Sequence, residues 1–140
     1  MRLLAIATLV AALATAPLSA QNCSSLTVTG SGAPSTQLSF AVTGATANAL
    51  TLVLVGDTTG STVINTPFGT LTLGLAAPFI PLPLGVTNAQ GAVTVQFNVP
   101  AGTPSADLFG QALTVGFSTG GGRPSLSFCT SNVAGFHIGN

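Results

Sequence analysis

The sequence predicts an all-β fold, an antiparallel β-sandwich of the immunoglobulin-like or jelly-roll-like kind with seven to nine strands. Three observations favour it. Apolar and polar residues alternate with period two in short runs, as in strands that turn one face towards a core. Seventeen Gly and nine Pro divide the 140 residues into short segments. No internal segment shows the periodicity of an amphipathic helix, which the crossovers of a parallel α/β fold require.

The first twenty residues predict a secretory signal peptide. A positively charged start is followed by a mainly apolar run, Leu3 to Ala16, and then by small residues, so we expect cleavage after Ala20. The run is shorter than the roughly twenty residues that span a bilayer, so no stable membrane insertion is expected. The prediction is a signal peptide over 1–20, one β-domain over 21–140, and a secreted, extracellular or cell-surface location.

Seven runs carry the alternation and are predicted strands; in chain order they are 26–29, 37–43, 50–55, 70–75, 93–99, 113–117 and 126–128. The third run is apolar on both sides, which is typical of a central strand. The predicted core side of the strands carries four of the eight phenylalanines: Phe40, Phe97, Phe117 and Phe128.

Turn-forming residues separate these runs, for example at 56–60 and 120–124. The segment from Thr103 to Phe109 favours one helical turn, with a capping residue, an early Pro and Asp107 near its amino end. The segment from Pro78 to Gly85 contains three prolines, which exclude it from the middle of a sheet. We expect it to form an extended cover over one end of the core.

The two cysteines lie near the two ends of the predicted domain. Export makes a disulfide between Cys23 and Cys129 the expected state, and the chain-entropy model assigns so long a loop about 4.7 kcal/mol of stabilisation. The sequence leaves open whether the bond lies within one chain or joins two. A metal site is not predicted, because His137 is the only histidine and neither cysteine has another nearby.

Charged residues make up 3% of the chain, with two basic and two acidic side chains. Two Arg cannot replace the counterions of a nucleic acid, so nucleic-acid binding is excluded. The stretch around Ser118 has the form G-x-S-x-G, but a glycine run follows it where a nucleophile elbow needs a helix. We therefore expect neither catalysis nor a cofactor. An aspartate gathered with His137 and a hydroxyl in a solvent-open cleft would contradict this expectation.

The surface positions of the predicted strands are Thr, Ser, Gln and Asn, without the Lys that usually protects sheet edges. Near-zero net charge removes repulsion between copies. These features predict a structural or adhesive module that contacts copies of itself or other extracellular proteins. The alternative is a carbohydrate-binding module that uses Phe79, Phe109, Phe136 and His137. A small hydrolase acting through Ser118, with His137 and an aspartate, is the least favoured reading.

About half of the chain also resembles a known group of modules. The segment from Thr66 to Gly85 is followed by Val99-Pro100 and by Leu108-Phe109-Gly110-Gln111-Ala112-Leu113. This pattern is similar to the carboxyl-terminal all-β module of uncharacterised secreted proteins from planctomycete-type bacteria. The resemblance implies an extracellular β-sandwich and carries over no catalytic residue.

Overall fold

The structure is a computed structural model that describes residues 22–67 and 69–140; the predicted signal peptide, 1–20, lies outside the described residues. The described part forms nine strands and no α-helix: β1 (Asn22–Thr29), β2 (Gln37–Thr43), β3 (Leu50–Gly56), β4 (Thr59–Thr66), β5 (Gly69–Leu75), β6 (Ile80–Val86), β7 (Val93–Asn98), β8 (Ala106–Ser118) and β9 (Ser125–Ile138). The all-β prediction is confirmed, and the strand number lies within the expected range.

Seven strands form one sheet in the order β6-β3-β8-β9-β1-β2-β7, and β4 pairs with β5 in a separate hairpin. The sheet curls until it is nearly a barrel. Its neighbouring strands are antiparallel except β1 and β9, which run in parallel where Ser24 faces Ser131. The prediction of a purely antiparallel arrangement is therefore wrong at this pair, and the sheet is mixed.

The inner face of the curled sheet encloses the larger core. Its buried members come from most of the strands and from the segment after β7: Leu26, Leu38, Phe40, Val42, Val53, Leu84, Val99 and Ala112. Phe40 stacks edge-on with Phe97 and with Phe136, with ring centroids 5.5 Å and 5.3 Å apart. Such aromatic contacts add roughly 0.5–1.5 kcal/mol each to the area that the rings bury.

The outer face of the sheet carries a second core, which the β4–β5 hairpin covers. Leu71, Leu73 and Leu75 of β5 pack with Leu54 of β3 and with half-buried apolar side chains of β8 and β9. Val53 faces the first core while Leu54 faces the second. The prediction that the 50–55 strand is central, with both faces buried, is confirmed.

Two strands were not predicted. Most positions of β4 are exposed, so its sequence lacks the apolar alternation that would reveal it. The segment after Pro78 forms the edge strand β6 rather than a loose cover, with Pro81 and Pro83 directly opposite Leu54 and Leu52. Proline has no N–H to donate to β3, so these two positions must point their backbone nitrogens to the free edge, which is where a sheet tolerates Pro.

The strand β8 also differs from prediction at its start. The expected helical turn from Thr103 to Phe109 is wrong, because the chain turns at Ala101 and Gly102 and is extended from Ala106 onwards. Pairing with β9 begins at once, with Ala106 opposite Ile138. Long-range pairing thus overrides the local helix-start signal.

Side chains replace the backbone ladder where the pairing of β8 and β9 shifts register. The Ser131 hydroxyl accepts a bond from the Ala112 N–H (2.8 Å) and donates to the Asn132 carbonyl (2.7 Å). The Asn132 carboxamide accepts from the Leu26 N–H (2.9 Å) and donates to the Leu26 carbonyl (3.2 Å), as a neighbouring strand would. Gln111 donates to the Ser131 carbonyl (2.9 Å). These bonds satisfy buried groups that the irregularity would leave unpaired.

The predicted disulfide between Cys23 and Cys129 is present, and it lies within one chain. It joins β1 to β9 across a sequence separation of 106 residues, with the Cα atoms 5.6 Å apart. Within 22–67 and 69–140, no helix has the length and apolar character needed to cross a membrane.

Candidate functional site

One end of the curled sheet gathers three concave surfaces, and all three include Leu108. Antiparallel pairing brings the ends of β3 and β9 to the starts of β6 and β8 there. We call this region the Leu108 end. One concavity is an apolar cavity on the inner face, the second lies beside Asp57, and the third lies on the outer face beside Asp107 and His137.

A polar cluster of Ser105, Asp107 and His137 borders the outer concavity, which Asp107 and His137 line. Asp107 and His137 face each other across β8 and β9, which places their side chains on one face. The Nδ1 atom of His137 lies 2.7 Å from Oδ1 of Asp107, and its Nε2 atom lies 3.3 Å from Oγ of Ser105. Ser105 lies two residues before Asp107 in an extended segment, so their side chains point to the same side of the chain. Each of them contacts a different nitrogen of the imidazole.

This cluster has the connectivity of a nucleophile, a base and an orienting acid. It meets the condition stated above as contradicting the expectation of no catalysis, since an aspartate, His137 and a hydroxyl lie together at a solvent-open surface. The scarcity of ionisable residues therefore no longer argues by itself against a reaction. The surroundings of the cluster differ from those of a hydrolytic triad, in which the acid is buried. Here the side chains of Asp107 and His137 are 84% and 43% exposed, so water weakens the electrostatic coupling between them.

Ser118, the nucleophile of the hydrolase alternative, does not join this cluster. It lies at the opposite end of β8 from Asp107, in the pair Ser118–Ser125. At about 3.3 Å per residue, the length of β8 separates them by tens of ångströms. Asp57 is also apart from Ser118; it lies in the connection after β3, where its carboxylate accepts a bond from the Thr58 hydroxyl.

The phenylalanines predicted to contact a ligand fall in different places. Phe79 and Phe109 are half-buried and pack against the outer core. Phe136 faces the inner core instead of the outer surface, since it stacks on Phe40. Phe117, assigned to the core from sequence, is 67% exposed, so that assignment is wrong. The β4–β5 hairpin covers the outer face beside Leu113 but does not bury Phe117.

Phe109 borders the polar cluster. It faces Gly135 across β8 and β9, and a Cβ atom placed on Gly135 would lie 3.5 Å from the Phe109 ring. The ring therefore packs over the glycine backbone, next to the Asp107–His137 pair. The outer concavity thus combines an aromatic side chain with a carboxylate and an imidazole, and the Ser105 hydroxyl contacts the imidazole.

A separate apolar surface lies on the outer face, away from the Leu108 end. Val86, Leu50 and Val115 stand opposite one another across β6, β3 and β8, and Phe117, two residues after Val115, faces Leu126 of β9. We call these five residues the outer-face patch. Leu50, Val86 and Phe117 are 53%, 60% and 67% exposed, and the patch contains no charged residue.

Ser105, the outer-face patch and the inner cavity were not predicted from the sequence. A two-residue spacing between Ser105 and Asp107 is a strand signal, but Thr103 and Pro104 indicated a helical turn in its place. Among the residues that the structure describes, no three His, Cys, Asp or Glu side chains converge to hold a metal ion. Comparison with known proteins finds no matching family, no matching curated protein and no matching solved structure.

Proposed function

We propose that this protein is a secreted, non-enzymatic structural or adhesive module that acts by contact through its outer-face patch. The observation that carries the proposal is the row of large apolar side chains, Val86, Leu50 and Val115, which continues to Phe117; Val86, Leu50 and Phe117 are exposed and Val115 is half-buried. Exposed apolar patches with polar surroundings mark interaction surfaces. A second copy of the chain, or another extracellular protein, is the proposed partner.

The charge of the chain supports association between copies. The formal net charge is zero for the 140 residues and −1 once residues 1–20, which include Arg2, are removed, so copies approach with little long-range repulsion. The edge strand β7 carries no charged residue and no Pro, and its exposed positions are Thr94, Gln96 and Asn98. Natural edges that avoid pairing usually carry Lys or Pro. The uncharged edge strand β7 and the outer-face patch together favour contact with another uncharged surface.

The exposure of the polar cluster supports the non-enzymatic part of the proposal. Triad chemistry depends on a water-excluded site that strengthens its hydrogen bonds. Asp107 is 84% exposed, and Ser105 is exposed as well. We expect no covalent labelling of Ser105 by a fluorophosphonate probe; labelling that Ser105→Ala removes would assign the protein to the hydrolases instead.

The proposal also covers the architecture and the location of the protein. The β4–β5 hairpin and the part of the sheet beneath it are proposed as the two layers of a reduced β-sandwich, since apolar side chains interdigitate between them. The disulfide is compatible with an extracellular location. The resemblance to modules of planctomycete-type bacteria stays a prediction.

Sedimentation of the oxidised chain without residues 1–20 tests the contact surface. We expect reversible association as the concentration rises, weakened at least tenfold by Leu50→Asp or Phe117→Asp, because a charge on the patch has to be desolvated on contact. Val63→Asp is the matched control, since Val63 is 57% exposed on the hairpin and outside the patch. A strict monomer that binds no extracellular surface, or equal effects of all three substitutions, would reject the proposal.

A second candidate function is glycan binding at the outer concavity of the Leu108 end. The observation that favours it is Phe109 beside Asp107 and His137, because sugars are bound by an aromatic face together with polar side chains. A glycan array probed with the protein and with Asp107→Ala and His137→Ala tests it. The expected result is a signal that both substitutions reduce; no sugar-dependent signal would remove this candidate.

A further inference from the structure

The curled sheet ends in two edge strands that do not pair with each other, β6 and β7. Pro81 and Pro83 deprive the free edge of β6 of two N–H donors, as their pairing with Leu54 and Leu52 shows. A strand without these donors cannot complete a ladder with β7. The prolines therefore explain why the sheet stays open at its seam.

An apolar cavity of about 200 Å³ lies at the Leu108 end, beneath this seam. Leu82 of β6 lines it from one edge and Phe97 of β7 from the other, and Val55, Leu108 and Ile138 contribute further walls. Its aromatic wall is the edge-on series Phe97, Phe40 and Phe136, whose rings hold one another in place. A wall of locked rings is a preformed surface, which lowers the entropic cost of binding.

The polar surroundings of the cavity indicate the charge of its occupant. Asn98 and Thr103 are the polar residues that line it, and the Thr103 hydroxyl already donates to the Pro100 carbonyl (2.6 Å). Asp57 borders the neighbouring concavity, which shares Val55 and Leu108 with the cavity. An anionic ligand that extended past Val55 and Leu108 would approach this carboxylate, and no lysine or arginine lines either space.

We propose that the cavity binds a slender, uncharged apolar molecule, of the size of a single aromatic ring or a short aliphatic chain. A dry cavity of about 150 Å³ lined by Leu, Ile and Phe binds benzene. This cavity is open to solvent on one side, and its volume of about 200 Å³ and its apolar lining suit a ligand of that size. The proposal is independent of the proposed contact function, because the cavity lies on the inner face and the outer-face patch on the other.

Titration of the oxidised chain with toluene, followed by ligand-observed NMR and by thermal unfolding, tests the proposal. We expect saturable binding and a midpoint of unfolding that rises with toluene concentration. Leu82→Trp should abolish binding by filling the cavity, and Leu108→Phe is a second filling variant should the first fail to fold. Val63→Trp, which adds the same ring on the exposed side of the hairpin, should bind like the parent. Benzoate should bind at least tenfold more weakly than toluene.

Three results would overturn the proposal. The first is an absence of saturable binding up to the solubility of toluene. The second is binding that survives Leu82→Trp and Leu108→Phe but is lost in Leu50→Asp, which would place toluene on the outer-face patch. The third is toluene that dissociates oligomers in proportion to its binding, which would assign the cavity to a side chain of a second copy.

Discussion

Two serines that face each other across β1 and β9 show that burial alone does not define the role of a polar residue. Ser131 is buried and its hydroxyl bonds the Ala112 N–H and the Asn132 carbonyl. Ser24 is also buried, but within the described part of the chain its hydroxyl has no hydrogen-bond partner. A buried hydroxyl without a partner carries its desolvation cost uncompensated.

Alanine substitutions at these two positions should therefore differ in effect. Ser131→Ala should lower the free energy of unfolding by about 1–3 kcal/mol, because it leaves the buried Ala112 N–H without its acceptor. Ser24→Ala should leave stability within about 0.5 kcal/mol of the parent or raise it, because it removes an unsatisfied group. Urea denaturation of the oxidised chain measures both. Equal destabilisation by the two substitutions would contradict the difference in hydrogen bonding.

At the scale of elements, the β4–β5 hairpin is attached to the sheet through the outer core, and a side chain of the sheet bonds its backbone. The Gly74 N–H donates to Oε1 of Gln111 in β8 (2.8 Å). A Cβ atom at Gly74 would lie 2.7 Å from a methyl carbon of Val133 in β9, closer than such atoms approach. The absence of a side chain at Gly74 thus allows the hairpin to lie against the sheet.

Gly74→Val should loosen the hairpin without unfolding the curled sheet. Hydrogen exchange should accelerate over 59–75 relative to the parent, while β1, β2 and β7 keep their protection, because their core lies on the inner face. Val63→Thr is the control, since Val63 is exposed on the same hairpin. Uniform acceleration across all nine strands would instead indicate that hairpin and sheet unfold as one unit.

At the scale of the whole molecule, β1 holds the two halves of the seven-stranded sheet together. Within the described residues it pairs with β2 at five positions but with β9 at two, in parallel. The Cys23–Cys129 disulfide lies at this junction. Asn132 extends the junction by bonding both backbone groups of Leu26. A covalent bond and one carboxamide thus reinforce the pairing that has the fewest ladder positions in the sheet.

Removal of the disulfide should cost about 2–5 kcal/mol, the range found for native disulfides of small secreted domains. The double variant Cys23→Ala, Cys129→Ala is the form to measure, because it leaves no free thiol to react. Its thermal midpoint should fall below that of the oxidised parent and match that of the parent under reducing conditions. An unchanged midpoint would mean that the β1–β9 junction needs no covalent support.

The period-two alternation predicted most of the strands, including the central position of β3, because the direction of successive side chains along a strand is a local property. The disulfide was predictable too, since two cysteines in a chain that the sequence predicts to be exported have few alternatives. The strand β6 was not predictable from its sequence. Its prolines argue against a strand in the middle of a sheet, but they are compatible with an edge strand. The start of β8 was missed because Pro104 gives the same local signal before a helix and before a strand.

The sequence alone therefore determines which residues lie on the same face of a strand. The tertiary structure determines which other segments cover that face. Leu113 and Phe117 stand on the same side of β8, yet Leu113 packs with the hairpin while Phe117 remains exposed. Ser105 and His137 are 32 residues apart and meet only because β8 and β9 pair. Alternation specifies the direction of a side chain, whereas its neighbours depend on pairings between distant segments, which local pattern does not encode.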